Sequence, residues 1–219
     1  MNTSNRNKRP PLEQIEILKR QEQTEDLALF WLNKPENYSF KPGQYCTIGY
    51  GGVERAYSIS SSPHEEVIEL FVELVPEKDG GVLTPMLWDL DIGDKVTIRP
   101  SAKGIFTFKE HFQNQLFVAT VTGVVPYVSI LRDFLYRMPE SDNKFYLLHG
   151  ASYKDEFGYY DELMKLSTDH SETINFVPTV SRPSESRNKG WEGECGRVNT
   201  LVESFVDKSE WIPSDTLIY

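Results

Sequence analysis

The chain has 219 residues, of which 39% are hydrophobic and 26% charged, and a formal net charge of −10. That length suits one large domain or two small ones with working cores. The acidic balance disfavours general nucleic-acid binding, and no apolar run approaches the roughly 18 residues that a membrane span requires.

The opening MNTSNRNKRPP is basic and polar with no apolar stretch behind it, so residues 1–11 read as a flexible tail and not as a secretory signal. From there to about Phe108 the chain reads as strand and turn. QYCTIGY leads through the Gly51-Gly52 turn into VERAYSISSSP. On that strand Arg55, Tyr57 and Ile59 share one face, and Ala56, Ser58 and Ser60 share the other. VIELFVELV alternates Ile68, Leu70, Val72 and Leu74 with Glu69, Phe71, Glu73 and Val75, which predicts a half-buried antiparallel strand. TPMLWDL predicts one short helix, with Thr84 as N-cap and Pro85 at its first position. DIGDKVTIRP turns into another strand. Short strands punctuated by Gly and Pro predict an antiparallel β-barrel over residues 12–111.

The period changes near residue 112. QLFVATV is a continuous apolar strand of the kind buried on both faces. PYVSILRDFLYRM puts Val128, Leu131 and Leu135 at helical spacing behind Pro126. KFYLLHG, TINFVPTV and DTLIY read as further strands, YYDELMKL and RVNTLVESFV as helices, and SRPSESRNKGWEGE as a long surface loop. The alternation predicts an α/β, doubly wound parallel sheet over residues 112–219, with ligands beyond the carboxyl ends of its strands. Cys46 and Cys195 lie far apart and near no histidine spacing. That argues against a zinc site or a disulfide framework, suits a reducing cytoplasm, and leaves both cysteines passive.

KPGQY, RAYS, GGVLT, KGIFTF, ATVTGVVPYVSIL and TVSRP occur in one order along the chain. In that order and in those elements the sequence resembles the ferredoxin (flavodoxin)–NADP reductases of the bacterial type, from about residue 12 onward. By itself the RAYS strand reads more readily as a surface arginine beside a core tyrosine. The resemblance implies a strand that holds FAD. Arg55 would pair with the pyrophosphate through a rigid fork of donors. Ala56 belongs to the same motif, and Tyr57 would lie against the isoalloxazine. Ser58 would sit by flavin N5, the atom that exchanges the hydride, so Tyr57 and Ser58 are the implied catalytic pair. Gly81 would permit close backbone approach, and Val82, Leu83 and Thr84 would open a helix towards the pyrophosphate. Phe71, Glu73 and Thr122 complete the implied FAD set.

For the nucleotide half, the resemblance implies NADP against Gly123, Pro126, Ser152, Ser181, Arg182 and Arg197. The loop Thr120–Pro126 departs from the family pattern, because Val121 and Val125 replace small residues. A β-branched residue tolerates φ > 0 poorly, so either the loop keeps its path with a negative φ at Val121, which is the favoured expectation, or nucleotide binding is weakened. Ser152 stands where many bacterial members carry arginine. His149 closes a buried strand and is expected to be structural.

Family members continue after a strand like DTLIY into Cys-Gly-x-Pro and a last helix–strand pair, whereas the sequence stops at Tyr219. The resemblance therefore implies an incomplete nucleotide domain and impaired hydride transfer. The expected function is an FAD-dependent oxidoreductase, a cytoplasmic monomer, linking ferredoxin or flavodoxin to NADP(H). Its acidic partner would dock on a basic patch drawn from Lys8, Arg9, Lys19, Arg20 and Lys103. The alternatives are an NAD(P)H-dependent reductase component serving an oxygenase or free flavin, and a non-catalytic flavin-binding module. No metal, nucleic acid or membrane partner is implied.

Overall fold

The computed structural model describes residues 12–208 and 211–219, so the tail expected over residues 1–11, with Lys8 and Arg9, lies outside the described residues. Six strands form one antiparallel sheet. They are β1 (Glu13–Glu22), β2 (Leu27–Asn33), β3 (Tyr45–Tyr50), β4 (Val53–Ser58), β5 (Val67–Glu73) and β6 (Lys95–Ile98), in the order β4-β3-β6-β1-β2-β5. The first half of β1 pairs with β6 and the second with β2, with a register shift between Ile17 and Lys19. A bulge of this kind bends its strand. The sheet curls until the residue pair after β4 meets β5, where the Ser60 N–H donates to the Glu69 carbonyl at 2.9 Å. Gly51 and Gly52 turn β3 into β4 with φ of 58° and 83°, the sense that suits the twist of paired strands.

Strand β5 departs from the expected alternation. Ile68 to Val72 are all buried, Glu69 and Phe71 included. The face that periodicity assigned to solvent packs on the second half of the chain, where Phe71 joins Leu29, Phe117 and Tyr159 in one apolar cluster. The short helix α1 spans Leu83–Trp88 with Val82, and not Thr84, at its N-cap. Thr84 is inside the first turn. Its hydroxyl accepts the Val75 N–H at 3.0 Å and donates to the Val75 carbonyl at 3.2 Å, so it ties the preceding loop to the helix.

Five parallel strands follow: β7 (Asn114–Thr120), β8 (Lys144–Ala151), β9 (Ile174–Val180), β10 (Glu194–Cys195) and β11 (Thr216–Ile218), in the order β10-β9-β8-β7-β11. Helices α2 (Val125–Arg137) and α3 (Tyr160–Asp169) pack on one face through Val128, Leu131 and Leu163. Helix α4 (Val198–Lys208) packs on the other against Leu116 and Leu148. The sheet is doubly wound, as the alternation predicts. Chain order reverses between β7 and β11, which makes the carboxyl end of β7 the switch point. The segment after β9 is less open than its polarity suggests. Asn188 is buried and donates to the carbonyls of Ser152 and Arg182, each at 2.9 Å. Trp191 stacks on Phe157 with centroids 5.6 Å apart.

The serine run after β4 forms the seam between the two sheets. Ser60, Ser61 and Ser62 are fully buried. The Tyr159 hydroxyl donates to Ser60 Oγ at 2.8 Å, and Ser129 Oγ of α2 donates to the Ser61 carbonyl at 2.7 Å. Ser62 Oγ donates to Asp133 at 3.3 Å. Arg132 joins both sides, with Nη1 2.7 Å from Glu69 and with Nε and Nη2 each 2.7 Å from the Glu162 carboxylate. Short hydroxyl side chains let backbone approach helix closely while these buried polar groups keep partners.

Candidate functional site

Two cavities bear on the site, the first where the two halves of the chain meet and the second wholly within the parallel-sheet half. The first, of about 340 Å³, runs along the edge strand β4, the end of β5 and the start of α1. Arg55, Ala56 and Tyr57 line it from β4, and Phe71 and Glu73 from β5. Gly81, Val82, Leu83 and Thr84 close one end, and Thr122 reaches it from the other sheet. The residues assigned to FAD from sequence, dispersed over nearly seventy positions, therefore face one groove, with Ser58 the exception: it is half-buried at the end of β4 and outside the lining. The Arg55 guanidinium is exposed. Burial pushes the Tyr57 phenol up to about 12, with Arg55 pulling the other way. Burial, with Asp26 and Glu156 nearby, holds the Glu73 carboxyl above the usual carboxylate range. Gly81 is required by its surroundings, since a Cβ there would fall 1.7 Å from the Val75 carbonyl oxygen. Its N–H donates to the Pro76 carbonyl at 3.0 Å and folds the loop back on itself.

The second cavity, of about 240 Å³, sits at the carboxyl ends of β7 and β8 and the start of α4. Ser152, Ser181 and Arg197 line it, as the sequence suggests, together with Thr120, Val121 and Gly150. Gly150 allows α4 to approach, because a Cβ would lie 2.9 Å from that of Val198. Gly123, Pro126 and Arg182 are outside this lining. Arg182 is exposed, its Nη1 donating to the Tyr153 hydroxyl at 2.9 Å, with Glu185 at 3.8 Å. The Arg187 guanidinium lies over the same tyrosine ring at 4.3 Å. Sequence reading missed Tyr153 and Arg187, which no motif marks, and missed Gly150 and Asn199, which the rule that ligands bind at strand carboxyl ends does point to.

Val121 corrects an expectation. Its φ is +41°, the one positive value at a non-glycine among the described residues. The turn keeps the left-handed path that a glycine would take, with a valine in it, and does not retreat to negative φ. His149 is fully buried in β8, and its Nε2–H donates to the Val121 carbonyl at 2.9 Å. Burial pushes this imidazole down to about 4, so it is neutral at ordinary pH. Of the residues offered as a basic patch, Arg20 is committed to structure, donating to the carbonyls of Trp88 at 2.8 Å and Leu90 at 3.2 Å. Lys19 lies over the Trp31 ring at 4.0 Å.

Comparison with known proteins agrees with this fold. The oxidoreductase NAD-binding domain family matches residues 117–219. The flavodoxin/ferredoxin–NADP reductase of Escherichia coli is 29% identical over 171 residues, 75% of this chain and 65% of the relative. A component of the Na(+)-translocating NADH-quinone reductase of Pasteurella multocida is 32% identical over 173 residues, 75% of this chain and 41% of the relative. The chain thus spans less than two thirds of the length of either. A ferredoxin NADP+ reductase from Neisseria gonorrhoeae, solved with bound FAD and NADP, has 25% identity and a TM-score of 0.78, covering 94% of this chain and 83% of that one. No helix among the described residues is long and apolar enough to cross a membrane.

Proposed function

We propose, from its similarity to the ferredoxin–NADP reductase-like oxidoreductases, that this chain is a flavoenzyme exchanging electrons between a ferredoxin or flavodoxin and NADP(H). The observation that carries the reading is the first cavity, where Arg55, Tyr57, Gly81 and Thr122 converge from separate segments. Residues 12–111 would form the FAD unit and residues 112–219 the nucleotide unit. FAD, when bound, supplies the chemistry that the side chains lack, taking electrons singly and giving them up as a pair. The donor set fits it. Arg55 presents an exposed guanidinium suited to pyrophosphate oxygens. Tyr57 offers an aromatic face whose hydroxyl stays protonated. The loop folded back at Gly81 leaves backbone room beside the start of α1. Ser58, behind Tyr57, would support the strand and not touch the ring.

In the second cavity Arg197 and Ser181 would hold the nucleotide's 2′-phosphate, and NADP(H) is the substrate this favours. Arg182 would reach the 2′-phosphate only by leaving Tyr153 and Glu185. A second reading, an NADH-dependent reductase component, draws support from the similarity to an NADH-quinone reductase component and from the uncharged Ser152. Anaerobic reduction of the purified protein by NADPH and by NADH, followed at the flavin absorbance and repeated with ferredoxin as acceptor, separates the two. Faster bleaching by NADPH is expected. A clear NADH preference overturns the choice of NADP, and a colourless protein that takes up no added FAD overturns the flavoenzyme reading.

A further inference from the structure

The turn between β7 and α2 serves both cavities, since Val121 lines the second and Thr122 the first. Its geometry is costly for this sequence. At positive φ a β-branched side chain crowds the following peptide, and glycine is the usual occupant. Something must hold it. The Val121 carbonyl is held by His149, which lies fully buried on the central strand of the sheet, between β7 and β9. Phe157 stands edge-on to the imidazole at 4.9 Å between centroids, and Phe176 lies 6.2 Å away. Because a carbonyl only accepts, Nε2 carries the hydrogen, which leaves Nδ1 as the acceptor. Nδ1 is buried with no hydrogen-bond partner among the described atoms. An apolar side chain would fill this space without an orphaned nitrogen. The bond to Val121 is therefore the one polar contact that the imidazole makes among the described residues.

We propose that His149 is a positioning residue, whose Nε2–H clamps the Val121 carbonyl and thereby holds the left-handed turn that presents Val121 to the nucleotide cavity and Thr122 to the flavin cavity. This rests on the nucleotide reading above for its functional consequence, but the clamp itself stands on the geometry of the turn. It makes the fit of a valine at a glycine-like position depend on a residue nearly thirty positions away.

A four-variant cycle tests it: the wild-type holoprotein, His149→Leu, Val121→Gly, and the two combined. The readouts are the unfolding midpoint and the Kd for NADP+ measured by calorimetry. His149→Leu is expected to weaken NADP+ binding about tenfold beside Val121, and by less than about twofold beside Val121→Gly, because glycine keeps positive φ without a clamp. His149→Gln, whose amide N–H can donate to the same carbonyl, should recover most of the loss. It also takes the place of the leucine variant if that one fails to fold, with His149→Gln then expected near wild type in both backgrounds. Equal losses from His149→Leu in both backgrounds, or no recovery by glutamine, overturn the proposal. Should the wild type bind no NADP+, the nucleotide reading falls. The unfolding midpoint then carries the test of the clamp: a larger drop beside Val121 supports it, and equal drops overturn it.

Discussion

Replacing Arg132 by methionine would remove one cation from three carboxylates at the seam between the sheets. Glu69 is the partner that matters most, since its side chain is 4% exposed, against 32% for Glu162 and 28% for Glu65. The half-exposed pairs are worth at most about 1 kcal/mol each. Stranding the buried Glu69 carboxylate without its partner costs about 3–5 kcal/mol. The total of roughly 4 kcal/mol should lower the unfolding midpoint by about 8–16 °C for a chain of this size. Urea unfolding followed by far-ultraviolet circular dichroism gives the free energy, and tryptophan fluorescence gives a second probe. Adding Glu69→Gln to Arg132→Met removes the stranded charge and should return roughly half of the loss. A loss below about 1 kcal/mol, or a double variant no more stable than the single one, would refute the assignment of Arg132 as the tie between the two sheets.

Gly81→Ala places a methyl 1.7 Å from the Val75 carbonyl oxygen and forces the loop off the start of α1. FAD titrated into the apoprotein should bind at least about tenfold more weakly, a loss of roughly 1.4 kcal/mol. Arg197→Ala should raise the KM for NADPH about tenfold with little change for NADH, as steady-state rates with the two nucleotides would show. For His149, the unfolded chain takes up a proton near 6.5 and the folded protein only near about 4. Stability attributable to this residue is thus unchanged above pH 6.5 and falls as the pH drops from there to about 4, by up to roughly 3 kcal/mol. Urea unfolding at a series of pH values should show that slope in the wild type and a shallower one in His149→Leu.

Much of this was legible because it is local. The switch from period-2 strands to alternating strands and helices near residue 112 follows from which neighbours along the chain are apolar, and the two sheets divide accordingly. The Gly51-Gly52 turn and the start of α2 at Pro126 likewise depend on a few adjacent residues. The grouping of Arg55, Tyr57, Gly81 and Thr122 was legible from their motifs, although only folding brings them to one groove.

The remaining features depend on segments far apart in sequence. Alternation in β5 predicted a wet face that the second sheet covers, because periodicity records that a strand has two faces and not what lies against each. No local pattern marks Ser60 to Ser62 as a buried seam, and those hydroxyls are buried because α2 and Tyr159 offer them partners. Val121 was expected at negative φ from its own preference. A hydrogen bond from His149, on the neighbouring strand, holds the other sign. Sequence alone determined the elements and their order, since short-range sterics and hydrophobic period are written residue by residue. Tertiary structure alone decided which faces stay dry, which cation meets which carboxylate, and how a valine keeps a glycine's turn, because each of those is an energy shared between distant residues.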